Sequence, residues 1–266
     1  MVSVRRASRV LGARRSSLYY SHKRKNEDEQ IATLLHFKAI EQPNWGFLLL
    51  FHWCRNQGYM WNKKRVYRVY KTEKLNLRKP KARKKIKRVA IHPLPAPKIN
   101  QGWSMDFLSD VLLSDEKKVR ILNVLDECSR KALLAFASKS ISAKKLVSLL
   151  EELVEQKGKP AYMRCDNGPE FISKALEKFA KENQIEIRFS QPGKPTQNGL
   201  VERLNGTQRT ECLNLKYFKT VQEVQQDLDK WWNHYNFDRP HSALGYLTPQ
   251  QFIDKNQNLY FNSVAA

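Results

Sequence analysis

Three acidic residues occupy positions where an acid needs a reason. Asp106 falls between Met105 and Phe107 inside GWSMDFLSDVLL, residues 102–113, whose pattern predicts a strand. Side chains alternate across a strand, so Asp106 points to the face opposite those two apolar neighbours. A carboxylate buried there unpaired would be costly. Asp166 follows the run AYMRC directly, at the carboxyl end of a second predicted strand. Ligand and catalytic groups of α/β folds gather at such ends. Glu202 lies on a helix predicted from about Gln197 to Asn214, with 35 residues between it and Asp166. Asn198, Asn205 and Arg209 stand four before, three after and seven after Glu202, so one helical stripe carries all four polar groups. Leu200, Val201 and Leu204 face elsewhere and can anchor the helix to a sheet.

Such a set suits phosphodiester chemistry. Cleavage or transfer needs an activated water or 3′-OH and neutralisation of charge on phosphorus and the leaving oxygen; two divalent cations about 3.5–4 Å apart do both. Mg²⁺ prefers oxygen ligands and keeps several waters, so three carboxylates are enough for a pair of ions, with Mn²⁺ as a possible substitute. Asp106 would bridge the ions, and Asp166 and Glu202 would hold one each. No Ser, Cys or His nucleophile pattern and no G-x-x-x-x-G-K-[ST] loop competes. Each acid also has a bland reading. Asp166 in DNG could be a turn residue, Glu202 a solvated helix residue, and Asp126 is an equally visible strand-end carboxylate.

The elements that must position these acids follow from periodicity. Strands are predicted at 102–113, 118–126 and 131–137, then a helix from Ala143 to Gln156 closed by Gly158. A strand at 161–165, a helix at 169–183, a strand at 185–189 and helices from about Gln197 and Val221 complete the order β-β-β-α-β-α-β-α. That order is the α/β mixed-sheet architecture of an RNase H-like fold. Trp231, Trp232 and Arg239-Pro240-His241 read as packing and helix-end chemistry.

The front of the chain differs. Of a net charge of +22, +20 lies in residues 1–100, so a basic module precedes a nearly neutral one. Residues 1–25 hold a partial helix-turn-helix around Gly12, with Ser3 and Ser16 as caps. Residues 26–74 form a small all-α region in which Ile31, Leu34, Leu35 and Ile40 share a face and an apolar helix spans Phe47 to Asn56. Asn62 then caps a helix with Val66, Val69 and Tyr70 on one face and Lys63, Lys64, Arg65, Arg68 and Lys71 around it. No acid among 63–72 balances that charge, which suits a recognition helix in a DNA groove. Residues 75–98 form a basic, Pro-rich linker; Arg83, Lys84, Lys85, Lys87 and Arg88 would run along phosphates. The catalytic core is expected at 99–255 and a tail at 256–266. The four cysteines show no metal or disulfide spacing. No apolar run, Phe47 to Phe51 among them, is long enough to span a bilayer, and MVSVRRASRV lacks the apolar stretch of a secretion signal. A cytoplasmic, nucleoid-associated protein with no membrane contact is expected.

The motifs WSMDF, RCDNGPEF and GKPTQNGLVERLNGTQRTECL resemble the retroviral-integrase-like core of bacterial transposases, with two Asp and a Glu at the family spacing and Arg209 seven positions on. NWGF with NKKRVYRVYK and the ending YNFDRPHSALGYLTPQQF are similar to the second reading frame of the insertion-sequence-three family. The resemblance implies that Asp106, Asp166 and Glu202 are the metal-binding catalytic acids, and the stripe that Asn198, Asn205 and Arg209 share with Glu202 suits a face turned to metal and DNA phosphate. It implies cleavage and strand transfer at the terminal inverted repeats of an insertion sequence, insertion into target DNA and self-association on DNA. Fusion with an upstream reading-frame product is also implied. The segment FLLLFHWC is more apolar than that family leads one to expect, which points to packing against another segment. A DNA-binding regulator without catalysis and a nuclease of the same fold are the competing classes.

Overall fold

The computed structural model describes residues 3–12, 14, 25–77, 94–113, 118–191 and 198–260. α1 (Val4–Val10) is capped by Ser3, whose hydroxyl accepts from the Arg6 amide. The second short helix expected near Ser16 lies outside the described residues.

α2 (Lys25–Glu41), α3 (Phe47–Asn56) and α4 (Lys63–Thr72) pack around Ile31, Leu35, Leu50, Phe51, Val66, Val69 and Tyr70. The Asn62 carboxamide caps α4 as predicted, accepting from the Lys64 amide at 2.8 Å. Ile40 was expected on the apolar face of α2 but is 80% exposed, whereas Lys38 is 3% exposed. Positions 31, 35 and 38 continue one helical face; position 40 lies on the opposite side.

The apolar α3 has its covering partner. Trp53 donates from Nε1 to Asp238 Oδ1 at 2.7 Å, and buried Lys38 pairs with the same carboxylate. His52 stacks on Tyr246 with centroids 3.6 Å apart, and Asn56 donates to the Tyr246 carbonyl at 3.0 Å. The helical unit is therefore docked on the 234–246 segment of the core.

The core carries β1 (Gly102–Leu112), β2 (Lys118–Asp126), β3 (Ala132–Ser138), β4 (Tyr162–Cys165) and β5 (Glu186–Phe189) in the order β3-β2-β1-β4-β5. β2 runs antiparallel to β1 and β3, while β1, β4 and β5 are parallel. α5 (Ala143–Lys157) and α6 (Lys174–Glu182) cover one face, packing on Trp103, Met105, Leu122 and Val124. α7 (Gly199–Glu211) and α8 (Val221–Asn233) cover the other through Val201, Leu204, Leu228 and Trp231 against Ile121 and Leu125. A mixed sheet in this order between two helical layers is the RNase H-like fold.

Two element boundaries differ from expectation. The helix predicted at 169–183 begins only at Lys174, capped by Ser173; residues 166–173 instead form a turn in which the Gly168 amide donates to Asp166 Oδ1 at 3.0 Å. Asp166 itself stands at the end of β4, where it was expected. The helix predicted from Val221 gives way at His234 to a π-type turn, His234–Asp238, which presents Asp238 to α2 and α3. α9 (Pro249–Lys255) follows with a reciprocal Thr248–Gln251 cap. Beyond it Leu259 accepts from the Ile99 amide at 2.8 Å, so the described part of the expected tail pairs with the start of the core.

Candidate active site

Alternation along β1 sends Trp103 and Met105 into the layer under α5 and α6, and Ser104, Asp106 and Leu108 toward α7. Asp106 is half-buried there, and its Oδ2 accepts from Asn205 Nδ2 at 2.8 Å. Asp166 is exposed just past β4, and Glu202 is exposed in the first turn of α7. β1 and β4 are adjacent parallel strands and α7 lies over β1, so the fold gathers three acids separated widely in sequence.

Their proximity is felt at Asp106. Its carboxyl is raised from 3.8 to about 6: burial is the largest cause, the Asp166 carboxylate adds to it, the Phe107 amide opposes, Glu202 adds, and Arg209 partly offsets. Partial loss of solvent at its base also raises the Glu202 carboxyl. Clustered carboxylates that resist ionising are what a cation would relieve, and an all-oxygen donor set fits a hard divalent ion. Among the described residues, no three His, Cys, Asp or Glu side chains are close enough to chelate one ion.

Asn198 and Asn205 do not lie on the DNA-facing surface expected of them. Both are buried: Asn198 donates to the Met105 carbonyl at 3.3 Å, and Asn205 to Asp106. Their side-chain N–H groups tie α7 to β1 on the dry, sheet side of the helix. Arg209 is half-buried and acts electrostatically on Asp106.

α4 is also less simply basic than its own sequence suggests. Arg65 Nε meets Asp28 Oδ1 at 2.7 Å and its Nη1 meets Glu27, while Arg68 Nη2 meets Asp28 Oδ2 at 2.6 Å. The balancing acids come from the first turn of α2, which inspection of 63–72 alone could not reveal. Lys63, Lys64 and Lys71 stay exposed. Arg83, Lys84, Lys85, Lys87 and Arg88 lie outside the described residues.

Asp126, the rival strand-end acid, is 2% exposed and accepts from the Asn100 amide at 2.7 Å and from Ser129 amide and hydroxyl at 2.7 and 2.6 Å. That is a turn-closing role. Glu127 beside it accepts from Ser104, Tyr162 and Arg164 at 2.6, 2.7 and 2.9 Å. Sequence reasoning also missed Arg120, which lies 4.3 Å over the Phe107 ring and pairs with Glu170 of the Asp166 turn. A cavity of about 590 Å³ beside α7 is lined by Arg130, Arg164, Arg203 and Arg239.

The integrase core domain family matches residues 96–195 and, in a second description, 183–249. The chain is 36% identical to the insertion element IS407 uncharacterized 31.7 kDa protein of Burkholderia multivorans, over 96% of this chain and 92% of that protein. It is 24% identical to the transposase InsD for insertion element IS2D of Escherichia coli, over 95% of this chain and 85% of the relative. The HTLV-2 integrase catalytic core domain in complex with magnesium (trimeric form) matches with a TM-score of 0.44 and 21% identity, over 57% of this chain and 95% of that one. Fold and family together define a polynucleotidyl transferase that cuts and transfers DNA strands. The chain belongs to the bacterial insertion-sequence transposases with an integrase core.

Proposed function

We propose that the chain performs strand transfer at the terminal inverted repeats of its element with Asp106, Asp166 and Glu202 as the acids that hold two divalent ions, Mg²⁺ or in its place Mn²⁺. The observation that carries this reading is the Asp106 carboxyl: half-buried, raised to about 6, and coupled electrostatically to both other acids. Bound ions would lower the pKa of a water or 3′-OH and neutralise charge on the phosphate in flight.

The chain's own residues supply the rest. Asn205 donates to one Asp106 oxygen and so fixes that carboxylate against the sheet. Asp166 is steadied by the Gly168 amide. Exposed Lys63, Lys64 and Lys71 on α4 bind phosphates, as do the basic residues 83–88. Docking of the helical unit through Lys38, Trp53 and Asp238 holds that DNA-binding surface at a set distance from the acids. Active assemblies contain several copies on double-stranded DNA, with an upstream reading-frame product fused or added.

The test is joining of a labelled DNA end with a free 3′-OH to target DNA in Mg²⁺. Asp106→Asn, Asp166→Asn and Glu202→Gln should each abolish joined products while retaining DNA binding in a mobility shift. Unchanged joining by any one of them overturns its assignment. Hydrolysis without joining in the native protein would favour the nuclease reading.

A further inference from the structure

Beneath the three acids lies a chain of buried amides whose direction is fixed. Asn123 sits on β2 opposite Asp106 in the β1–β2 register. Its Nδ2 donates to Asn205 Oδ1 at 2.7 Å and to Gln208 Oε1 at 2.8 Å, and Gln208 Nε2 returns a bond to Asn123 Oδ1 at 3.0 Å. Asn205 then donates to Asp106 Oδ2 at 2.8 Å. Asn123 and Gln208 are 0% exposed and Asn205 is 6% exposed, so water offers no substitute partner.

Carboxamides can be reversed, and here reversal of any one of them alone is blocked. Turning Gln208 over would set N–H against N–H and oxygen against oxygen across its reciprocal pair with Asn123. Turning Asn123 over would remove the donor to Asn205. Asn205, whose oxygen is already engaged, can only offer N–H to Asp106. Reversing all three together would set the Asn205 oxygen against the Asp106 carboxylate, so Asn205 is held between the reciprocal pair and the acid. Asn205 and Gln208 are three apart on α7, and Glu202 is three before Asn205, so the same contact also sets the roll and depth of the helix that carries the third acid.

We propose that Asn123 and Gln208, whose hydrogen bonds reach none of the three acids, are positioning residues that aim Asn205 at Asp106 and hold Glu202 over the sheet, thereby setting the affinity of the site for divalent ions. The inference rests on the reading of the trio as the metal-holding acids. Groups that orient metal-binding side chains from behind commonly change metal affinity 10–100-fold when removed.

Gln208→Met and Asn123→Leu keep nearly the same volume and remove the amides from opposite ends of the pair. The full chain without DNA is titrated with Mn²⁺, free ion being followed by its electron paramagnetic resonance signal, and each variant is melted in EDTA. Both variants should melt cooperatively, bind DNA in EDTA as the native chain does, and bind Mn²⁺ about 10–100-fold more weakly. A Mn²⁺ affinity within twofold of native in either cooperatively folded variant overturns the proposal. Loss of cooperative melting in both also overturns it, because the amides would then hold the fold instead of aiming a carboxylate. Asp106→Asn separates the two readings. If it leaves Mn²⁺ binding intact, the trio itself is misassigned; if it abolishes binding while the amide variants bind normally, only the positioning role fails.

Discussion

Removing the charge of Asp106 should stabilise the metal-free protein while destroying its activity. Its carboxyl is raised from 3.8 to about 6, first by burial and then by the Asp166 carboxylate. Between those values the native state keeps a proton that the unfolded chain has released. Stability from this group is therefore fully present below about pH 4 and falls as pH rises to about 6, after which the loss is constant. At about 1.4 kcal/mol per pH unit the full loss is about 2–3 kcal/mol for this partly exposed site. Asn at 106 can still accept from Asn205 through its oxygen and cannot ionise. In EDTA at pH 8, Asp106→Asn should melt about 5–10 °C above the native chain, with the difference vanishing near pH 4. Adding Mg²⁺ should raise the native melting temperature and leave the variant nearly unmoved. A variant no more stable than native at pH 8, or a gain that persists undiminished at pH 4, would refute the picture of three acids crowding one site.

Asp126→Asn should cost about 1–3 kcal/mol in urea melts, because an amide N–H would face the donors of Asn100 or Ser129. Its strand transfer at a temperature where it stays folded should match native; lost transfer would restore Asp126 as a rival catalytic acid. Removing Lys63 and Lys64 together should lower the slope of log affinity against log salt by about 2, with stability unchanged. Arg65→Ala should do the reverse, loosening the helical unit with little change in that slope, since Glu27 and Asp28 already neutralise it. Asp238→Asn should destabilise the docked helical unit by about 3 kcal/mol by leaving Lys38 buried without that partner. Burial alone would raise the Asp238 carboxyl, but hydrogen bonds from His234, Lys38 and Trp53 hold it at about 2. Its contribution is thus present above about pH 4 and lost toward pH 2, and acid melts of native and Asp238→Asn should converge there.

The RNase H-like order of strands and helices was legible because hydrophobic periodicity is local: each strand and amphipathic helix of the core writes its buried face into consecutive residues. The same holds for the Asn62 cap. The acids were legible for a related reason. Asp106 interrupts an apolar strand, Asp166 ends one, and Glu202 lies on a polar stripe, so each is anomalous within its own segment.

What sequence could not supply were partners from distant segments. The charge on Arg65 and Arg68 is answered from 37–40 residues away, and Lys38 by Asp238 across 200. The amide stripe expected to meet DNA turned inward, because burial of Asn198 and Asn205 depends on how α7 seats on β1. Asn123 carried one faint local signal, a polar residue in KVRILNVLD, without any indication that it stands opposite Asp106. Local chemistry thus determined which residues are acids in strands and helices. Only the tertiary structure decided which polar groups face water and which face each other, because register and helix seating are set by packing of the whole core.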